Sequence, residues 1–387
     1  VKPRPKQIVI FLSLFSLILG MLHFYIYQRS LYYLQPSPGF ENFFAYFFAS
    51  LMILTLAAMP LMHVLPRFFA TAISFIVYPW MGFGLLLISG FFIADFLWIA
   101  LNLISTTSLS SQLQKNFGLT VFFISAGCGS YALWNGLRFI KTKVVNVRLK
   151  KLPAELDKLR IAQLTDIHIG PILDGKWLKR VVDRVNALDA DIIVITGDLV
   201  DGSVLELASQ VSPLAGLKAK YGVFFVTGNH EYYSGVDEWC DYLQSINIKV
   251  LRNQHVSLKI NNSTINIAGV DDWSSRHFAG GHNLPKSLAG IDISNPVILL
   301  AHQPISMHMA AENNVDLQLS GHTHAGQIWP FNYFVYLQQP VSKGLFQYPN
   351  SNLQVYVSSG TGFWGPPMRL GTFAEISCIS LRCVSEN

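Results

Sequence analysis

Hydrophobic residues form long unbroken runs in the first third of the chain and short bursts between polar loops in the rest. Residues 8–27 and 43–62 are each apolar over about 20 positions, the length of helix that crosses a hydrocarbon core. The stretch 68–104 is too long for one ordinary span and contains Pro79, which predicts a short interfacial helix followed by a crossing over 80–103. A polar segment, 105–116, then leads to a fourth predicted span over 119–140. From residue 159 the period shortens. Apolar bursts predict strands over 159–164, 191–195, 223–226, 265–268, 297–300, 317–319, 355–357 and 376–381. Between the early strands lie two helical patterns, 175–188 and 236–246; in the first, Leu178, Val181, Val182 and Val185 recur at helical spacing on one face. Strands alternating with helices, then strands in closer succession, predict a layered α/β domain with a mixed sheet or two stacked sheets.

Charge sharpens this division. Charged residues make up 13% of the chain, against about 25% in soluble domains. Between residues 8 and 139 they are only Arg29, Glu41, Arg67, Asp95, Lys115 and Arg138. The chain therefore divides into a membrane domain, 1–142, a basic juxtamembrane linker, 143–158, and a water-soluble domain, 159–387. Lys2, Arg4 and Lys6 flank the first span, and Lys141, Lys143, Arg148, Lys150 and Lys151 follow the last, whereas the opposite loops hold Arg29 or Lys115 alone. Basic residues mark the cytoplasmic side, so both termini are expected there, with an even number of spans, four. Asp95 lies inside an apolar run, where it is expected to pair within the helix bundle with a hydroxyl or His23, to lie shallow near an interface, or to serve a function. The net charge of +5 and the lack of a basic run interleaved with aromatics argue against a nucleic-acid partner. Cys128, Cys240, Cys378 and Cys383 have neither disulfide-framework nor zinc-knuckle spacing.

The polar residues that can carry chemistry follow the predicted strands directly. They occur as Asp166-Ile167-His168, Gly197-Asp198-Leu199-Val200-Asp201, Gly228-Asn229-His230-Glu231, His302, and Gly321-His322-Thr323-His324. Ligands of open α/β sheets gather at such strand ends. Any one of these is unremarkable alone; five in succession are not. In an extended segment positions i and i+2 share a side, so Asp166/His168 and His322/His324 can each aim two groups at one centre. Mixed carboxylate and imidazole donors suit Mn²⁺, Fe or Zn²⁺ better than Ca²⁺ or Mg²⁺ alone, and so many donors exceed the need of one ion.

The ordered set D-x-H, G-D-x-x-D, G-N-H-E, H and G-H-x-H resembles the calcineurin-like metallophosphoesterase superfamily. The strings 228–231 and 321–327, with Gly360-Thr361-Gly362 and Arg369-Leu370-Gly371, are similar to its membrane-attached bacterial branch. The resemblance implies an α/β/β/α sandwich of two mixed sheets flanked by helices. It implies that Asp166, His168 and His324 hold one metal, that Asn229, His302 and His322 hold the other, and that Asp198 bridges both. His230 would contact the phosphate and stabilise or protonate the leaving group, with Asp201 fixing its tautomer. Two divalent ions, Mn²⁺ first and Fe, Zn²⁺ or Mg²⁺ as alternatives, would lie about 3.5–4 Å apart and generate hydroxide from a shared water.

The expected activity is thus hydrolysis of a phosphate ester, phosphodiester or pyrophosphate by a protein of the bacterial inner membrane, its catalytic domain on the cytoplasmic side. The membrane part favours a lipid-linked substrate. Competing readings are a phosphodiesterase of soluble nucleotides merely localised to the bilayer, and a transporter or sensor with a regulatory phosphoesterase module. Arg369 is a candidate substrate-phosphate contact or part of a proline-stabilised turn. Trp329 and Trp364 either line an apolar substrate wall or pack in the core.

Overall fold

The computed structural model describes residues 5–277 and 281–384. The chain divides into two compact units, Val1–Leu137 with Gly365–Leu370, and Arg138–Trp364 with Gly371–Asn387.

The first unit is built on α1 (Pro5–Leu34), α2 (Pro38–Val64), α3 (Arg67–Ile104) and α4 (Ser111–Arg138). Among the described residues, Pro38–Ala58, Arg67–Ile104 and Ser111–Arg138 are long and apolar enough to cross a membrane. The expected span 8–27 falls within α1, where some side chains lie outside the described residues. No separate interfacial helix precedes Pro79; α3 continues through it for 38 residues. Proline is tolerated inside a helix of this kind when neighbouring groups satisfy the freed carbonyl.

Arg29, expected in a loop, lies within α1, which continues to Leu34. Its Nε is 2.8 Å from Asp95 Oδ2. The hydroxyls of Tyr25 and Tyr33 donate to the two oxygens of the same carboxylate, each at 2.9 Å. The polar end of α1 stays helical because its side chains find partners on α3. His23 is not Asp95's partner; its Nε2 accepts the indole N–H of Trp80 at 2.9 Å.

Among the described residues, the second unit holds twelve strands in two sheets. β1 (Ile140–Leu149), β2 (Arg160–Leu164), β3 (Ile192–Thr196), β4 (Val223–Val226), β5 (Lys249–Val250) and β12 (Ala374–Cys383) form one, in the order β1-β12-β2-β3-β4-β5. β6 (Gln254–Ile260), β7 (Ser263–Gly269), β8 (Val297–Leu300), β9 (Leu317–Ser320), β10 (Gly344–Gln347) and β11 (Gln354–Val357) form the other, in the order β10-β11-β9-β8-β7-β6. Both are mixed: β2, β3, β4 and β5 run parallel, as do β7, β8, β9 and β11, while β12 meets β2, β6 meets β7 and β10 meets β11 antiparallel.

Strand alternation builds the layers. Ile192 and Val194 of β3 point into a core shared with Ile267, Leu300 and Leu319 of the second sheet. Ile193 and Ile195 point the other way, onto α5 (Gly175–Asn186) and α7 (Val236–Ser245), beside α6 (Val204–Val211). The four aliphatics expected on one face of α5 are all buried there, and each such burial contributes about 1.5–3 kcal/mol. Asp174 caps this helix by accepting the Trp177 N–H at 2.8 Å. Helices on the outer faces of two packed mixed sheets make the α/β/β/α sandwich expected of the sequence.

Residues 143–158, expected as a basic linker, hold most of β1 and a short 3-10 turn. Val145, Val147 and Leu149 alternate into the core while Lys141, Lys143 and Arg148 face outward. A lysine-rich strand at a sheet edge protects that edge from further pairing.

Candidate metal centre

The strand ends converge. Asp166, His168 and His324 bring ligand atoms within 4.8 Å of one another, as do Asp198, His302 and His322, and a third grouping joins His168, Asp198 and His230. Asp198 belongs to two of these groups: its Oδ2 is 3.2 Å from His302 Nε2 and 3.8 Å from His168 Nε2.

The convergence does not come from extended alternation. Asp166, His168, Asp198, His322 and His324 all adopt left-handed backbone, with φ of 51°, 51°, 52°, 70° and 48°. Residues with side chains pay about 1–3 kcal/mol for such conformations, which persist where the surroundings over-determine them. Here neighbouring loops are tied together: Asp166 N–H donates to Gly197 O at 3.0 Å, and His168 N–H to Asp198 O at 3.1 Å. The motif glycines supply the room. A Cβ on Gly228 would sit 2.2 Å from Asp198 Oδ1, and one on Gly321 would sit 2.2 Å from Asp166 Oδ2.

Two of these imidazoles, His302 and His168, are oriented through the far nitrogen. His302 Nδ1 donates to Thr196 O at 2.8 Å, which leaves Nε2 as the electron-pair donor toward Asp198. His168 Nδ1 lies 2.9 Å from Asp201 Oδ1, leaving its Nε2 toward His324. The ring nitrogens then face each other in pairs: His302 Nε2 and His322 Nδ1 are 3.2 Å apart, and His168 Nε2 and His324 Nε2 are also 3.2 Å apart. One proton held between the two nitrogens of a pair makes such a contact a hydrogen bond, and a bound cation can take that proton's place. With metal–nitrogen distances of about 2.0–2.1 Å, adjacent ligands of one ion stand roughly 3.0–3.4 Å apart. Asn229 Oδ1 is buried without a hydrogen-bond partner, which is the condition expected of a neutral oxygen ligand. The donor set therefore fits divalent cations.

His230 lies beside this centre. Its Nδ1 is 2.7 Å from Asp201 Oδ1, and its backbone N–H donates to Asp198 Oδ1 at 2.9 Å. Burial alone would lower its pKa, but Asp201 and Asp198 together push it up to about 9. Burial would likewise raise Asp201; the imidazoles of His168 and His230 hold it well below the usual carboxylate range. The exposed rings of Tyr233 and Trp364 stand 5.5 Å and 6.3 Å from the His230 ring.

Glu231 closes the Gly228-Asn229-His230-Glu231 motif, which by itself assigns it no role. It is fully buried, and its carboxylate accepts the backbone N–H groups of Asp198, Leu199 and Gly228 at 3.0, 2.7 and 2.7 Å. It thus clamps the β3 loop to the β4 loop. Its position three residues after Gly228, at the start of a short helix, is the capping-box spacing that could have revealed it. Asp271 is bound by Arg252, whose Nε lies 3.0 Å from Oδ1, and Asp272 accepts from Gln303 Nε2 at 3.0 Å. Arg369 is buried in the helical unit, where its N–H donates to Ala132 O and its carbonyl accepts from Asn135 Nδ2, both at 2.8 Å.

A family model described as calcineurin-like phosphoesterase matches residues 159–326. A protein of Danio rerio named transmembrane protein with metallophosphoesterase domain is 39% identical over 268 residues, 67% of this chain and 61% of its own length. Its namesake in Bos taurus is 42% identical over 250 residues, 62% of this chain and 56% of its own length. An uncharacterized metallophosphoesterase of Helicobacter pylori is 40% identical over 273 residues, 69% of this chain and 71% of its own.

Proposed function

Since the chain belongs to the calcineurin-like phosphoesterase family, we propose that it is a membrane-anchored two-metal phosphohydrolase. The observation that carries this reading is Asp198, whose carboxylate lies between two sets of imidazoles that face one another in pairs. Asp166, His168 and His324 would hold one ion and Asn229, His302 and His322 the other, with Asp198 reaching both. Two bound divalent ions, Mn²⁺ in our reading, supply Lewis acidity toward the phosphate and activate water near neutral pH.

The protein's own groups do the rest. Asp201 fixes His168 and His230 through their Nδ1 atoms, so that Nε2 of His230 is the nitrogen left to meet substrate. There it binds a phosphoryl oxygen or gives its proton to the departing oxygen. Tyr233 and Trp364 place apolar faces beside it, which supports a leaving group with an apolar or planar part. Helices of spanning length in the same chain favour a phosphate carried on a lipid over a soluble ester.

The test is turnover of an aryl phosphate monoester and diester by full-length protein with Mn²⁺, alongside its metal content. Asp198→Asn is expected to abolish activity and weaken metal retention. Near-normal turnover by that variant would overturn the assignment.

A further inference from the structure

The α/β unit exposes an aromatic segment that the metal chemistry does not use. From Asp316 to Lys343 the sequence contains no intervening Asp, Glu, Lys or Arg. Within this stretch Trp329, Phe331, Tyr333, Phe334, Tyr336 and Leu337 are all between 41% and 79% exposed. Other large exposed apolar residues of the unit, such as Leu205 and Ile293, stand apart along the chain. Six within nine positions form a patch of the kind that marks an interaction surface.

Its geometry is ordered. Phe331–Leu337 is a 3-10 helix of seven residues, longer than is usual for this conformation. Three residues per turn stack Phe331, Phe334 and Leu337 in one row, and the rings of Phe331 and Phe334 are 6.0 Å apart. Tyr333 and Tyr336 form the adjacent row, and the Tyr336 hydroxyl accepts from Ser342 Oγ at 2.8 Å. An apolar row bordered by tyrosines matches the arrangement of segments that rest in a membrane interface.

The segment is fastened to the metal-ligand loop. A Cβ on Gly326, two residues after His324, would meet Asn332 Cα at 2.1 Å, so the two backbones pack without side chain between them. Gln327 exchanges hydrogen bonds of 3.0 Å with the backbone of Trp364 in both directions. Gln327 O also accepts the Thr372 hydroxyl at 3.1 Å, and the next residue, Phe373, carries Lys141 Nζ 3.2 Å above its ring. Lys141 is the second residue of β1, close after α4: that helix ends at Arg138 and β1 begins at Ile140. The aromatic segment therefore lies at the end of the α/β unit where the chain arrives from a helix of membrane-spanning length, joined to it by a single residue.

We propose that Trp329–Leu337 is a bilayer-docking element, whose Phe331/Phe334/Leu337 row enters the boundary between headgroups and acyl chains. The tether brings a lipid surface within reach, and the absence of charge lets the segment meet it without desolvating an ion. Docking would present the centre fastened to this segment to phosphates at the bilayer surface. That last consequence rests on the phosphohydrolase reading; the docking itself does not.

The test uses full-length protein in vesicles of phosphatidylcholine and phosphatidylglycerol. A fluorophore is attached at Leu337→Cys after Cys128→Ser and Cys383→Ser replacement, since Cys240 and Cys378 are buried. A control carries it at Ile293→Cys. The Leu337 label should be quenched by acyl-chain nitroxide and protected from aqueous iodide, with the reverse at Ile293. Iodide quenching at Leu337 equal to that at Ile293 would overturn docking. In a second arm, Phe331→Asp/Phe334→Asp/Leu337→Asp is expected to lose roughly tenfold or more in kcat/KM on a vesicle-borne phosphate, while hydrolysing a soluble aryl ester at the unaltered rate. Equal losses on both would assign the segment a structural role instead. Failure of the unaltered protein to hydrolyse any ester would defeat the phosphohydrolase reading and leave the fluorescence result to decide docking.

Discussion

Asp201 Oδ1 lies 2.9 Å from Nδ1 of His168, and that same oxygen is 2.7 Å from Nδ1 of His230. The sequence motif assigned Asp201 to His230 alone. In the fold one carboxylate orients both imidazoles, so in the proposed reaction it would couple metal affinity to proton transfer.

Asp201→Ala should therefore act on two readouts at once. Loss of a carboxylate behind a ligating histidine typically weakens metal binding about 10–100-fold. Turnover at saturating Mn²⁺ should fall as well, because His230 loses its orienting partner. Metal titration followed by kcat at saturation separates the two effects. A variant restored fully by added metal would leave Asp201 with the His168 role alone.

His230→Ala should keep its metals and lose catalysis, by about 10²–10⁴-fold for a group that transfers a proton. The loss should be smallest with substrates whose leaving group is already acidic. Loss of bound metal from this variant would instead favour the grouping of His230 with His168 and Asp198 as a ligand set.

Glu231→Gln should destabilise the α/β unit without touching a metal donor. The carboxylate accepts three backbone N–H groups from two loops, and an amide offers a single acceptor oxygen. The expected cost is about 1–3 kcal/mol, read as a lower Tm, with some recovery on adding Mn²⁺ because the proposed ions would hold the same loops. An unchanged Tm would remove Glu231 as a clamp.

Glu375 offers a pH-dependent check outside the centre. Burial alone would raise its pKa, but the Tyr356 hydroxyl at 2.6 Å, Lys143, and the hydroxyls of Ser359 and Ser377 hold it below the ordinary 4.5. A depressed folded pKa stabilises the fold above the unfolded value and loses that contribution as pH falls through the folded one. The stability gap between the native protein and Glu375→Gln should be full near neutral pH and close below about pH 4.5. A gap independent of pH would deny the charged form its role.

In the helical unit, Arg29→Leu or Asp95→Leu should each lower the Tm of the detergent-solubilised protein by stranding the partner's charge. The double replacement should cost less than the two singles together, as expected when a paired charge is removed whole. Additive losses would show that the 2.8 Å contact contributes nothing.

Much of this molecule can be read from residue order because the cause is local. Burial on both faces makes β3, β4, β8 and β9 nearly continuous apolar runs, and their bounds agree with expectation to within a residue or two. Strands at or near a sheet edge were harder. β6 and β10 bury few side chains, and β1 hides its alternating valines among lysines that suggested a linker. Pro79 signals a break that α3 does not make, and Arg29 reads as a loop residue although its contact with Asp95 lies within the helix bundle.

By itself the sequence determined which donor types follow which strands, since strand-end positions depend on local pattern and the motif spacing is short. It could not determine how those donors meet. The left-handed backbone at Asp166, His168, Asp198, His322 and His324 is unfavourable for any isolated residue. Only the hydrogen bonds between neighbouring loops, the missing Cβ atoms of Gly228 and Gly321, and the buried Glu231 clamp hold it in place. The double duty of Asp201 arises likewise from tertiary structure, since His168, Asp201 and His230 follow the neighbouring strands β2, β3 and β4 of one sheet, and the aromatic segment is held through the contact of Gln327 with the distant Trp364.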